Sequence, residues 1–71
     1  MSMNYAYNYA EIDIDTNECI QVISTTAPFA NIPDYVVEIP VYDDEYVGKY
    51  YIDGNWYEDA EGTIPWQSSL L

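Results

Sequence analysis

"GKYYIDGNWYED", Gly48 to Asp59, sets four aromatic residues around an Asp-Gly pair. Asp-Gly between two runs of β-forming residues marks a hairpin, because a two-residue type I′ turn needs positive φ at both central positions. The turn predicts Ile52 opposite Asn55, Tyr51 opposite Trp56, Tyr50 opposite Tyr57 and Lys49 opposite Glu58. In that register two aromatic pairs and one opposite-charge pair face directly across, each worth roughly 0.2–1 kcal/mol. Part of the ring surface is therefore structural.

Upstream, "YAYNYAEIDID" alternates with period two from Tyr5, which means strand. One parity carries Tyr5, Tyr7, Tyr9, Glu11 and Asp13; the other carries Ala6, Asn8, Ala10, Ile12 and Ile14. "ECIQVIS" is a second β-rich run. The "DTN" between them suits a three-residue loop closed by Asn17 in the left-handed region. That loop pairs Ile14 with Glu18 and Ile12 with Ile20, and keeps Ile12, Ile20 and Val22 on one face. "TTAPFANIPDY" reads as a connection broken by prolines, and Pro40 confines "VVEIPVY" to an edge or to its own end. Asp43, Asp44 and Glu45 read as a solvated turn, and "EDAEGTIPWQSSLL" as a loop or short turn that leaves Trp66, Leu70 and Leu71 able to dock.

The fold class that follows is all-β: one small acidic domain over residues 1–71, a small antiparallel sheet built from hairpins Tyr5–Ser24 and Gly48–Asp59 with a proline-containing connection. The expected core is Ile12, Ile14, Ile20, Val22, Val36, Ile39, Val41, Tyr50 and Trp56. Seventy-one residues are near the size at which a single core barely suffices. A lone Cys19 offers no internal disulfide and the chain has no histidine, so support from a partner or from self-association is expected.

Thirteen acids against Lys49 alone give a net charge of −12, a level of repulsion that often accompanies disorder. The 49% hydrophobic content and the 17% aromatic content decide for a folded chain, since disordered tails carry few aromatic and β-branched residues. Phosphate neutralisation needs lysine and arginine, so direct binding to nucleic acid or to an anionic membrane is excluded. The start, "MSMNYAYNYA", has neither the basic nor the apolar segment of a signal peptide, and synthesis in a reducing cytoplasm is expected.

Each candidate site has a plainer reading beside it. Asp13, Asp15 and Asn17 match the first liganding positions of a calcium-binding EF-hand loop, but Glu18 stands where glycine is needed and Ser24 where the bidentate glutamate belongs. A hairpin turn explains them better. Without histidine, and with Cys19 in an apolar strand, no nucleophile has a base, so neither an enzyme nor a cofactor nor a metal is implied. Tyr5, Tyr7 and Tyr9 project from one side of a strand, where rings serve equally as core cover or as a surface for proteins or sugars. With Tyr51, Trp56 and Trp66 they are the expected partner-binding residues. Glu11, Asp13 and Asp15 recur every ~6.7 Å on one strand face, similar to successive phosphates of a DNA strand, although any acidic strand face has that spacing.

"YAEIDIDTNECIQVIS" and "VGKYYIDGNWYED" together resemble small tail-associated proteins of tailed bacteriophages and terminal segments of some tail fibres. The resemblance lies in Tyr9 to Asp13, the turn at Thr16 and Asn17, Cys19 to Val22, and Gly48 to Asp59; Asn17 stands where that family often has glycine. It implies a non-enzymatic structural, assembly or adhesion module of a tail, baseplate or fibre. Such a module is made in the host cytoplasm, carried in the virion and docked on a larger virion protein, with self-association open. The alternative is an acidic DNA mimic that inhibits a host nucleic-acid-binding defence protein.

Overall fold

The computed structural model describes residues 7–71. The fold is all-β: β1 (Tyr7–Ile12), β2 (Cys19–Thr25), β3 (Val36–Ile39), a single 3-10 turn over Asp44–Tyr46, β4 (Tyr50–Ile52) and β5 (Asn55–Tyr57). The first three strands form an antiparallel sheet in the order β2-β1-β3, and the last two form a hairpin. Principal extents of 43 × 27 × 16 Å make a thin body.

The second hairpin has the expected register at Tyr50–Tyr57, Tyr51–Trp56 and Ile52–Asn55. Asp53 and Gly54 have φ values of 51° and 86°, the positive pair of a type I′ turn. Lys49 and Glu58 lie outside the ladder, contrary to expectation, because both are taken up elsewhere: the Lys49 carbonyl accepts from Cys19 N–H, and Glu58 N–H donates to the Ile64 carbonyl.

The first hairpin departs from its expected register at one point. Pairs from Tyr7–Thr25 to Glu11–Gln21 follow it, but Ile12 then faces Cys19 across a β-bulge that leaves Ile20 without a partner. A bulge of this kind adds one residue to one strand and re-aims the side chains beyond it. The loop correspondingly has four residues rather than three: Asp13 N–H donates to Glu18 O, and Asn17 N–H to Asp13 O. Asn17 keeps the expected left-handed backbone, with φ 68°. The pairs Ile12–Ile20 and Ile14–Glu18 are thereby replaced. Ile14 and Ile20, expected in the core, are 71% and 50% exposed.

Cys19 takes the core position instead. The core is Ala10, Ile12, Cys19, Ile39 and Tyr46, with Val22, Val37, Val41, Tyr51, Trp56 and Trp66 packed half-buried around it. Val36 is buried as expected, and Tyr50 is half-buried. β1 is central and covered on both faces: Ala10 and Ile12 meet the core, while on the opposite face Tyr9 stacks on Phe29, ring centroids 4.3 Å apart and planes 8° apart.

Backbone hydrogen bonds tie the two sheets together. Cys19 N–H donates to Lys49 O, Gly48 N–H to Cys19 O, and Tyr51 N–H to Asn17 O. The last segment pairs in turn with β5, through Glu58 N–H to Ile64 O and Trp66 N–H to Trp56 O. Asp43 is buried rather than solvated. Its Oδ1 accepts from Glu45 N–H and caps the 3-10 turn, and its Oδ2 accepts from Ser68 Oγ.

Candidate interaction surface

The expected partner-binding residues separate into two groups. Tyr5 lies outside the described residues. Tyr7 is half-buried at the start of β1, whereas Tyr9 is 1% exposed, with Phe29 stacked against its ring and Phe29 N–H donating to its hydroxyl. No continuous tyrosine stripe faces solvent at Tyr9.

Tyr51, Trp56 and Trp66 do come together, around a residue that sequence reasoning missed. Tyr46 meets Trp56 edge-on at 4.8 Å and Trp66 at 4.9 Å, and Tyr51 tilts against Trp56 at 5.0 Å. Offset and edge-to-face pairs of this kind add about 0.5–1.5 kcal/mol each beyond the area that they bury. The 3-10 turn puts Tyr46 in the middle, and Asp43 fixes that turn. A short carboxylate three residues before an aromatic residue is the local signal that would have found it. The Lys49 ammonium lies 5.0 Å from the Trp66 ring centroid, a cation–π contact at the rim of the cluster. Tyr51, Trp56 and Trp66 are all half-buried, so each residue keeps part of its surface toward solvent.

The acidic groups are used locally. Asp13 Oδ1 accepts from Asp15 N–H inside the hairpin loop, which removes both residues from a strand face, and the expected row of Glu11, Asp13 and Asp15 is not formed. Glu11 accepts from the Gln21 side chain across the ladder. Asp59 closes the 59–64 loop by accepting from Thr63 and Ile64 N–H. The Thr63 hydroxyl and these amides hold its carboxyl below the usual range. Cys19 is the only thiol. Burial pushes it up to about 11, its S–H donates to Gln21 O, and a thiol so displaced is a poor nucleophile.

Among the described residues no three His, Cys, Asp or Glu side chains gather in a way that would hold a metal ion, and the surface forms no pocket. Among the described residues no helix is long and apolar enough to cross a membrane. What remains as surface is the aromatic rim and the outer edges of the three-stranded sheet, with β2 on one side and β3 on the other. Comparison with protein-family models, with curated proteins and with solved structures finds no match to this chain.

Proposed function

We propose that the chain is a non-enzymatic structural module of a phage tail, baseplate or fibre, which docks on a larger virion protein and gains stability by doing so. The observation that carries this reading is the pair of outer sheet edges in a body only 16 Å thick. An outer strand is a template for strand addition, and a partner that binds only the folded state stabilises it by mass action. The half-buried Tyr51, Trp56 and Trp66 supply ring surface of the kind enriched at protein interfaces. The resemblance of Tyr9–Val22 and Gly48–Asp59 to tail-associated proteins points in the same direction.

The test is mass spectrometry of purified particles, together with capture by recombinant tail proteins. Presence in the particle, and capture that survives 0.5 M salt, is the expected result. Absence from particles, with inhibition of a host nucleic-acid-binding protein that salt abolishes, would transfer the assignment to the DNA mimic. That alternative rests on the net charge of −12, since Asp13 and Asp15 belong to a turn rather than to a strand face.

A further inference from the structure

The two outer edges of the sheet are not equivalent. Ile12 N–H donates to Tyr35 O. By the two-residue alternation of an antiparallel ladder, Ala10 and Asn8 also turn their backbone groups toward β3, and Tyr9 and Glu11 turn theirs toward β2. Across the ladders, Val36 and Glu38 of β3 and Val22 and Ser24 of β2 then point their N–H and C=O groups outward. On β3 that edge is guarded: Pro33 and Pro40 flank it, Val36 N–H is already bonded to Pro33 O, and Glu38 is exposed. Short length, proline and charge are the usual means of blunting an edge. On β2 none of these three is present, and its β-bulge lies at Ile20, beside the Cys19 end rather than at Val22 and Ser24. Gly48 and Lys49 occupy the edge only at Cys19, and among the described residues Val22 and Ser24 make no further backbone hydrogen bond outward.

β2 is also free of charge in a highly charged chain. Every residue from Cys19 to Pro33 is uncharged, and all thirteen acids lie outside that stretch. We propose that the β2 edge pairs with the β2 edge of a second copy of this chain, antiparallel about a two-fold axis at Ile23. The pairing joins two three-stranded sheets into one of six strands. In this register Val22 faces Ser24 of the other copy and Gln21 faces Thr25, so no like charges meet, and the outward groups of Val22 and Ser24 satisfy one another in both directions. An isologous contact of this kind closes on itself and leaves β3 and the aromatic rim free for a larger protein.

A net charge of −12 on each copy opposes the contact at long range, and salt removes that opposition because the screening length falls from ~30 Å at 0.01 M to below ~8 Å above 0.15 M. Self-pairing therefore tightens with salt, whereas capture of a basic strand would weaken. The experiment is sedimentation equilibrium of the full chain at about 0.02 M and about 0.5 M NaCl, with amide hydrogen exchange under both conditions. Expected are a mass that moves from 8.2 kDa toward twice that value, a dimer dissociation constant at least tenfold lower at high salt, and new protection at Val22 and Ser24 but not at Glu38.

Val22→Pro removes an outward N–H, leaves the ladder to β1 intact and should abolish dimerisation. If that variant fails to fold, the exchange data on the unsubstituted chain decide. A monomer at ~1 mM protein in high salt, or protection gained at β3 instead, would overturn the proposal. A monomer that still enters virions would overturn self-pairing alone and leave the tail assignment standing.

Discussion

Ser68 Oγ donates a hydrogen bond to Asp43 Oδ2 across 25 residues of chain, and both side chains are buried. Because Asp43 also caps the 3-10 turn that carries Tyr46, one carboxylate joins the C-terminal segment to the centre of the aromatic cluster. The Ser68 hydroxyl first, the Glu45 N–H second and the Lys49 charge last hold the Asp43 carboxyl below the usual carboxylate range, against the opposing effect of burial.

A folded-state value below the unfolded one means that the contribution is complete above the unfolded value, near 3.9, and is lost as the pH falls through the lower folded value. Thermal melts should therefore show no change from this group between pH 7 and 5 and a loss of stability below about pH 4. Asp43→Asn should already be destabilised at pH 7 and should decline less steeply in acid. Parallel declines in the two proteins would remove Asp43 from the account. Asp59, also lowered, contributes equally to both.

Gly54 holds φ at 86°, where a β-branched side chain is strained. Gly54→Val should cost about 1–3 kcal/mol, which at roughly 4–8 °C per kcal/mol is a readily measured drop in melting temperature. Gly54→Asn, which tolerates the left-handed region, should cost much less. Equal melting temperatures for the two variants would contradict the type I′ turn.

Tyr46 is 2% exposed and touches both tryptophans. Tyr46→Ala should destabilise by about 3–5 kcal/mol, as aromatic truncations in cores do, and should redshift tryptophan emission as Trp56 and Trp66 gain solvent. Retention of the native emission spectrum would mean that the rings are ordered by something other than Tyr46.

Cys19 should resist alkylation in the folded chain. Displacement of the thiol from 9.0 to about 11 lowers the reactive thiolate fraction at neutral pH about 100-fold, and burial at 1% exposure slows access further. Iodoacetamide labelling should be fast only in denaturant. Rapid native labelling would place Cys19 outside the core.

The sequence is most readable where a feature is decided by near neighbours. Asp53-Gly54 dictates its own turn and the three pairs beside it, and Asn17 dictates its left-handed backbone. The β-bulge at Ile20 is not readable in this way. A three-residue loop and a four-residue loop with a bulge satisfy the same hydrophobic alternation, and the choice falls to Gly48 and Lys49, which bind the backbone of Cys19 from almost thirty residues away. Tyr9 is legible as a strand residue, but the choice between core cover and open surface stays undecided in the sequence, because Phe29, which stacks on it, belongs to a segment that reads only as a connection. Of the expected interaction residues, Tyr51, Trp56 and Trp66 share one cluster. Its centre, Tyr46, follows an acidic run whose first member turns out to be a cap.

The backbone bonds between Asn17–Cys19 and Gly48–Tyr51 bear on how the chain loses its structure. A two-stranded hairpin is at best marginally stable alone in water, so β4 and β5 depend on β2 for their persistence, while Cys19 reaches the core only with Gly48 and Lys49 beside it. The two sheets thus share their support at Cys19, and melting should be one cooperative event. Exchange of the Tyr9 amide, in the first sheet, and fluorescence of Trp56, in the second, should report the same midpoint. Two separated transitions would show that the bonds at Cys19 join two independent units.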